Sequence, residues 1–468
     1  MAASVETGQE AQPLLVRSPK QPSLFLLFVF VMIGCTDGLL AGYMGSLLGI
    51  FTEKGVPSYI RGLLNISMTP LFLRALVSPF VDKHFSPRIG RRKSYLLPCK
   101  TFMTVYYFIL SFWIDGLVQE DRVVLLTGLF LLPCILLCFE NSANAGFRLE
   151  YIGEEWLGQI GAVTTLSNML GISIGVQVFT SLHSARICSQ YFGSSGRLIT
   201  HGQYLVFMAI VNLLGLVSLL FMQERPAAKS QIAKELSVKR VFSALWKKRL
   251  LRDLVCVNTV FTLTYVALQI LTMQYYIMQG VDRVQILFAI LIVIPATLIS
   301  NLLFMPFVNR GQPMKRGFQC ALITVLLQSL HLPNLYYHSK TSNSSRTLLF
   351  LAIIYALDSC VPWGAFQSSA LNSTASDKYS SSYLISTGSI LSGSRVIVLI
   401  LLNPIVDMTN VYFLLGSLLL FQTVISLLAS PKTKELDNTP HEVFKQAFDH
   451  YVEGKDDRIL NPFGNNQY

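Results

Sequence analysis

The sequence predicts an all-α integral membrane protein of twelve helices in two matched groups of six. Three observations lead there. Only 13% of the 468 residues are charged and 52% are hydrophobic, whereas a soluble chain carries about a quarter charged residues. Twelve apolar runs are each near the roughly 20 helical residues that cross a bilayer. A short pattern also recurs at equivalent places in the two groups.

The runs occupy residues 24–51, 59–81, 94–114, 122–140, 158–183, 202–222, 253–277, 285–308, 318–337, 347–371, 381–405 and 411–429. The first begins too far in and runs too long for a signal peptide. The fourth, ninth and tenth carry polar residues or prolines and are the weakest. The loops between runs alternate in charge. One set holds Lys83 to Lys93, Arg225 to Arg252, and Arg310, Lys315 and Arg316. The other holds few bases: Lys54, Arg186, Arg197, Arg283, Lys340 and Arg346. Short loops rich in Lys and Arg resist translocation, which places the richer set and both termini in the cytoplasm. The net charge of +11 has the same origin, so no nucleic-acid partner is expected. The glycosylation sequon Asn343-Ser344-Ser345 falls on the opposite face.

The recurring pattern is Pro79-Phe80-Val81-Asp82-Lys83 at the end of the second run and Pro306-Phe307-Val308-Asn309-Arg310 at the end of the eighth. It divides the chain into a tail (1–23), a six-helix half (24–222), a basic linker (223–252), a second half (253–429) and a second tail (430–468). Two parallel halves joined by such a linker describe the major facilitator architecture, with its cavity near the midplane. Small residues four apart allow close helix contact. They occur at Gly38, Gly42, Gly45 and Gly49, at Gly171 and Gly175, and at Ser389 and Gly393. These stripes serve either tight packing or sliding.

Residues 81–98, VDKHFSPRIGRRKSYLLP, concentrate one acid and five bases between apolar runs. Asp82 followed by Gly90-Arg91-Arg92-Lys93 resembles the loop motif of major facilitator transporters, with longer spacing. That longer form looks like the acetyl-coenzyme A transporter family and its bacterial muropeptide-permease relatives. The stretches PLFLRALVSPFVD, GEEWLGQIGAV, RICSQYFGSSGRLIT, MQGVDRVQILFAILIVIP and SSYLISTGSILSGS are similar in order along the chain. Two places depart from the family pattern: Glu140-Asn141-Ser142-Ala143-Asn144-Ala145-Gly146-Phe147-Arg148 lacks both expected aspartates, and Thr36-Asp37-Gly38 replaces a Gln-Gly. The resemblance implies alternating access. It also implies a gating role for Asp82, Gly90, Arg91 and Arg92, with Asp82 set against the positive N-terminus of the eleventh run near Ser380–Ser382.

An ionisable group at membrane depth costs a few kcal/mol unless it is paired or hydrated. Asp37, Glu140 and Asp358 fall on runs one, four and ten, which line the cavity in this architecture, so they are candidate cavity or proton-coupling acids. Arg74, Arg395 and, at the cytoplasmic mouth, Arg148 are candidates for holding an anionic substrate, because guanidinium matches phosphate in a two-pronged geometry. Tyr265 or Trp363 would stack on an adenine. The family resemblance points to acetyl-coenzyme A. An amino-sugar or peptide-like solute, or a non-transporting receptor or scaffold on the same fold, are the alternatives.

Neither metal nor cofactor is expected. The cysteines show no disulfide or zinc spacing, the seven histidines are scattered, and no Gly-Lys-Ser/Thr phosphate loop is present. The reading is therefore against an enzyme or an ATP-driven pump. Leu14 and Leu15 in an acidic dileucine stretch, and Asn461-Pro462-Phe463, match sorting-adaptor motifs in tails expected to be disordered. They point to endosome, lysosome or plasma membrane; the family resemblance points to the endoplasmic reticulum.

Overall fold

The computed structural model describes residues 23–86, 88–151, 156–222, 237–308, 312–375, 379, 382–391 and 411–453. Apart from one isolated bridge between Ser86 and Gly90, the described secondary structure is helical. The first group opens with α1 (Leu24–Glu53), capped by the Ser23 side chain. The second expected span is broken into α2 (Ser58–Ile66), α3 (Thr69–Phe72) and α4 (Arg74–Lys83). Then come α5 (Lys93–Leu110), the short α6 (Ile114–Gln119) and α7 (Val123–Tyr151). The fifth span is α8 (Leu157–Ser173), which passes through a π-helical turn at Ile174–Val178 into α9 (Phe179–His183). A connecting α10 (Ala185–Phe192) leads to α11 (His201–Phe221).

The second group is preceded by α12 (Val238–Lys247) and starts at α13 (Arg249–Met278). The eighth span is α14 (Arg283–Ala289), a 3₁₀ turn and α15 (Val293–Val308). The ninth is α16 (Pro313–Ser329) with α17 (His331–Thr341), and the tenth is α18 (Ser344–Ser359) with α19 (Trp363–Ser373). A helix at residues 382–391 is α20. The chain continues through α21 (Val411–Asn438) to α22 (His441–Glu453).

Among the described residues nine stretches are long and apolar enough to span a membrane. The third, seventh and eleventh expected runs, which coincide with α5, α13 and α20, are not among the nine. α5 carries Lys93, Lys100 and three tyrosines, which lower its hydropathy. The outward surface suits lipid: Leu326, Phe413, Leu420 and Leu428 are each at least two-thirds exposed.

Three boundaries differ from the sequence reading. The fourth span does not end at 140. α7 runs on to Tyr151 because Ser142, Ala143, Asn144, Ala145 and Phe147 are all buried, so this small-residue stretch packs inside the fold. The linker is helical from Val238, and α13 begins at Arg249. The second tail is not disordered over 430–453. α22 buries Phe444, Phe448 and Val452 beside Val241 and Leu245 of α12 and beside Tyr379 and Tyr383. This four-residue apolar spacing is one face of a helix.

The glycine stripes make backbone contact within the first group. A Cβ at Gly38 would lie 2.1 Å from the Asn168 carbonyl oxygen, and one at Gly171 would lie 2.3 Å from that of Cys35. Neither position has room for a side chain, so α1 and α8 meet backbone to backbone. The two groups meet where α8 packs on α15 and α19, with Thr165 and Ser368 hydroxyls 2.8 Å apart.

Candidate functional site

The Asp82 carboxylate is wholly buried at the end of α4. One oxygen accepts from Arg91 at 3.0 Å and from Arg92 at 2.8 Å. The other accepts from the backbone N–H of Ser382 at 3.0 Å and from its hydroxyl at 2.7 Å. Ser382 is the first described residue of α20, so a carboxylate of the first group sits on the N-terminus of a helix of the second. The turn that returns Arg91 and Arg92 to Asp82 depends on Gly90, whose φ of 111° is open to glycine. Arg92 is itself buried and lies against Gly146 of α7.

Deeper in the first group lies a set of charges. Lys100 of α5, fully buried, pairs with Glu140 of α7 at 2.6 Å. Its ammonium also donates to Thr36 Oγ1 at 2.6 Å and to Asn212 Oδ1 at 3.3 Å. Four helices are thereby tied to one cation. Glu140 is therefore enclosed and neutralised in this conformation rather than open to a cavity. Lys100 is absent from the sequence-derived candidates, although a lone lysine in the middle of an apolar run should have demanded a partner.

Asp37, one residue beyond Thr36, stands within electrostatic reach of Glu140, Lys100, Arg74 and Arg148. Its Oδ1 is buried without a hydrogen-bond partner among the described residues. Arg148 lies in the last turns of α7, with Nε donating to the Asn144 carbonyl at 3.3 Å and Nη1 to the Thr164 hydroxyl of α8. Arg74 begins α4, and its guanidinium lies against Gly388 of α20, since a Cβ there would be 2.8 Å from Nη2. Arg74 thus reaches from the first group to the second.

Asp358 lies elsewhere, near the end of α18, where it is 4% exposed. Amides surround it: Gln269 of α13 donates to it at 3.3 Å and Gln328 of α16 at 3.5 Å. Trp363 opens α19 and lines a recess of about 10 Å³ with Asn258 and Gln367. That volume holds a single water at most, so this particular recess is too small for an adenine. The side chain of Tyr265, as well as Arg395, Leu14, Leu15, Asn461, Pro462 and Phe463, lies outside the described residues.

The helices, their grouping and the buried charge between them define a membrane protein of the major facilitator fold. Solved structures agree. The chain is similar to the fucose:proton symporter FucP of E. coli in a variant form (TM-score 0.56, 16% identity, covering 87% of this chain and 98% of that one). It is likewise similar to FucP in a structure described as outward (TM-score 0.55, 16% identity, covering 87% and 99%). Within that fold, the family model described as "Acetyl-coenzyme A transporter 1" matches residues 24–241, so the resemblance to that family is shown over the first half of the chain. Among curated proteins, the chain is 22% identical to an uncharacterized protein of Schizosaccharomyces pombe over 337 residues, which is 70% of this chain and 63% of that protein. It is also 22% identical to an uncharacterized membrane protein of Saccharomyces cerevisiae over 227 residues, 44% of this chain and 40% of that protein. The matches thus span less than two thirds of either relative's length. Family match and fold together support a membrane transporter.

Proposed function

We propose that the protein is a secondary transporter that moves an anionic metabolite by alternating access, with acetyl-coenzyme A as the substrate to test first. The observation that carries this reading is the grouping of Arg74 and Arg148 with Asp37, where Arg74 touches Gly388 of the other half. A guanidinium at membrane depth is costly unless it serves a charged partner. Arg74 and Arg148 stand beside the same carboxylate, and their guanidiniums are the donors an entering anion would take. Asp37, with one oxygen unpartnered, is the group to exchange a proton or to be displaced when the anion enters. Arg395 is a further candidate anion contact.

In this reading residues 24–222 and 253–429 rock about the site. Asp82 on Ser382, braced by Arg91 and Arg92, closes the end proposed to face the cytoplasm. Both termini lie on that side, and the compartment proposed is the endoplasmic reticulum membrane. A tagged chain imaged in cells tests the compartment, and glycosylation at Asn343 tests the orientation.

The deciding experiment is uptake by proteoliposomes holding the full chain, with labelled acetyl-coenzyme A and a panel of neutral and anionic metabolites, with and without a pH gradient. Saturable uptake of an anion is expected. Arg148→Gln should raise its KM at least about tenfold, the value of one charge-assisted hydrogen bond. Saturable uptake confined to neutral solutes, or unchanged kinetics in Arg74→Gln and Arg148→Gln alike, would overturn the reading.

A further inference from the structure

A second polar recess opens at the other end of the molecule, near the C-terminus of α1. Its volume is about 340 Å³, within the roughly 300–1,000 Å³ of small-molecule sites. Its polar walls come from Glu53, Thr180, His183, Ser184, Arg197 and His201, and Val284 closes it from the second group. None of these residues belongs to the site described above.

Hydrogen bonding fixes what this recess offers. The Tyr43 hydroxyl is buried, and its partner is His201 Nδ1 at 3.0 Å. A buried hydroxyl that donates nowhere is costly, so Tyr43 donates and His201 Nδ1 accepts. The His201 proton then sits on Nε2. Asp115 holds the start of α11 in place by accepting from the backbone N–H groups of His201 and Gly202, both at 3.0 Å. His183 has the opposite tautomer. Its Nδ1 donates to the Ile199 carbonyl at 2.9 Å, and its Nε2 accepts from Arg197 Nη1 at 3.4 Å.

The charges in the walls are matched except one. Lys54 is paired with Asp121 at 2.8 Å and also donates to the Val118 and Gln119 carbonyls. Glu53 faces Arg283 at 3.9 Å. Asp115 is occupied at the α11 N-terminus. Arg197, which is exposed, has a neutral imidazole as its partner and no carboxylate within ion-pair distance among the described residues, so its guanidinium is open to an anion. That charge also argues against a metal between the two imidazoles, since a cation would sit beside a guanidinium.

We propose that this recess binds an oxyanion, the phosphate or carboxylate head of an organic solute. Arg197 supplies the charge-assisted donors, and the Ser184 hydroxyl supplies a neutral donor. The site would be a docking point on the path of the transported anion, and to that extent it rests on the transport reading. Binding itself is an equilibrium property and is read without transport.

The test is thermal unfolding of the purified full chain, titrated with inorganic phosphate and, in a separate arm, with acetate ion. A saturable rise in Tm is expected for at least one of the two. Arg197→Gln should weaken the apparent affinity at least about tenfold, and Arg197→Lys should restore part of it. Arg186→Gln removes an exposed charge outside the recess and should leave the titration unchanged. Titrations unaffected by Arg197→Gln but lost in Arg148→Gln would place the anion in the central cluster and overturn the proposal. So would the absence of any saturable shift with both ions. An Arg197-dependent titration in a protein that takes up nothing would sink the transport reading and leave this site standing.

Discussion

The two groups of helices touch at both ends of the molecule, and the two contacts are built differently. At the Asp82 end a fully buried carboxylate takes four hydrogen bonds of 2.7–3.0 Å, two of them from the opposite group. At the other end Arg283 of α14 reaches α1 by one bond of 3.3 Å to the Gly45 carbonyl and a 3.9 Å approach to Glu53. Beside it, Arg186 and Asp282 pair at 2.5 Å, but Arg186 is 65% exposed. A buried pair resists loss of either partner, whereas an exposed pair is screened and contributes little. The difference predicts that loss of Asp82 disturbs this conformation more than loss of Arg283.

Asp82→Asn should have the largest effect, because it strips two buried guanidiniums of their shared counter-charge. Breaking one partner of a buried pair costs about 3–5 kcal/mol, so a large drop in Tm is expected. The groups should also part at that end. A cysteine at Ser386 of α20, which is buried here, would then become open to an impermeant thiol reagent, with the exposed Cys256 and Cys360 replaced by alanine. Unchanged labelling and Tm would show that Asp82 does not hold the groups together.

Two glycines sharpen the contrast, since each seats an arginine. A Cβ at Gly146 would lie 2.2 Å from Arg92 Cζ, and one at Gly49 would lie 1.2 Å from Arg283 Nη1. Arg92 is wholly enclosed and bound to Asp82, so Gly146→Ala has no cheap escape and should cost about 3 kcal/mol, the upper range for overpacking. Arg283 is 18% exposed and can swing outward. Gly49→Ala should therefore cost under about 1 kcal/mol despite the closer overlap. Equal losses in the two variants would mean that the ends are equally rigid.

These contacts were unevenly legible in the sequence. The apolar runs carried the fold, because lipid imposes their length. Asp82 was set at the start of the eleventh run by the family resemblance, and the attraction of an acid to a helix N-terminus is the physics that agrees with it. Lys100 escaped because hydropathy averages its charge over an aromatic-rich run, and its partner Glu140 lies forty residues away on another helix. The extension of α7 past Glu140 escaped because Asn, Ser and Gly read as a loop, whereas here they form a helix face packed inside the protein. α22 escaped because its three buried apolar residues are diluted by polar ones. What composition averages away is what tertiary packing decides.

Ser382→Ala tests the share of the Asp82 contact contributed by one hydroxyl. The backbone N–H of Ser382 still donates at 3.0 Å, so the carboxylate keeps three of its four bonds. A hydrogen bond to a charged group contributes about 1.5–3 kcal/mol. With the remaining donors able to adjust, the loss should fall near 1.5 kcal/mol, smaller than for Asp82→Asn or Gly146→Ala. A loss as large as that of Asp82→Asn would mean that the contact between groups, rather than burial of unpaired arginines, dominates that end.

Arg283→Gln should give the smallest effect. It removes one long bond to Gly45 and a loose approach to Glu53, whose side chain is 49% exposed. Solvent screens such a pair to under about 1 kcal/mol, and added salt should erase even that within a Debye length of about 10 Å at 0.1 M. Tm measured at low and high salt checks this directly, with Asp82→Asn as the salt-insensitive reference. If Arg283→Gln instead destabilised the protein as much as Asp82→Asn, and did so at high salt, the two ends would be equivalent seals. The conformation would then be one held closed from both sides rather than from one.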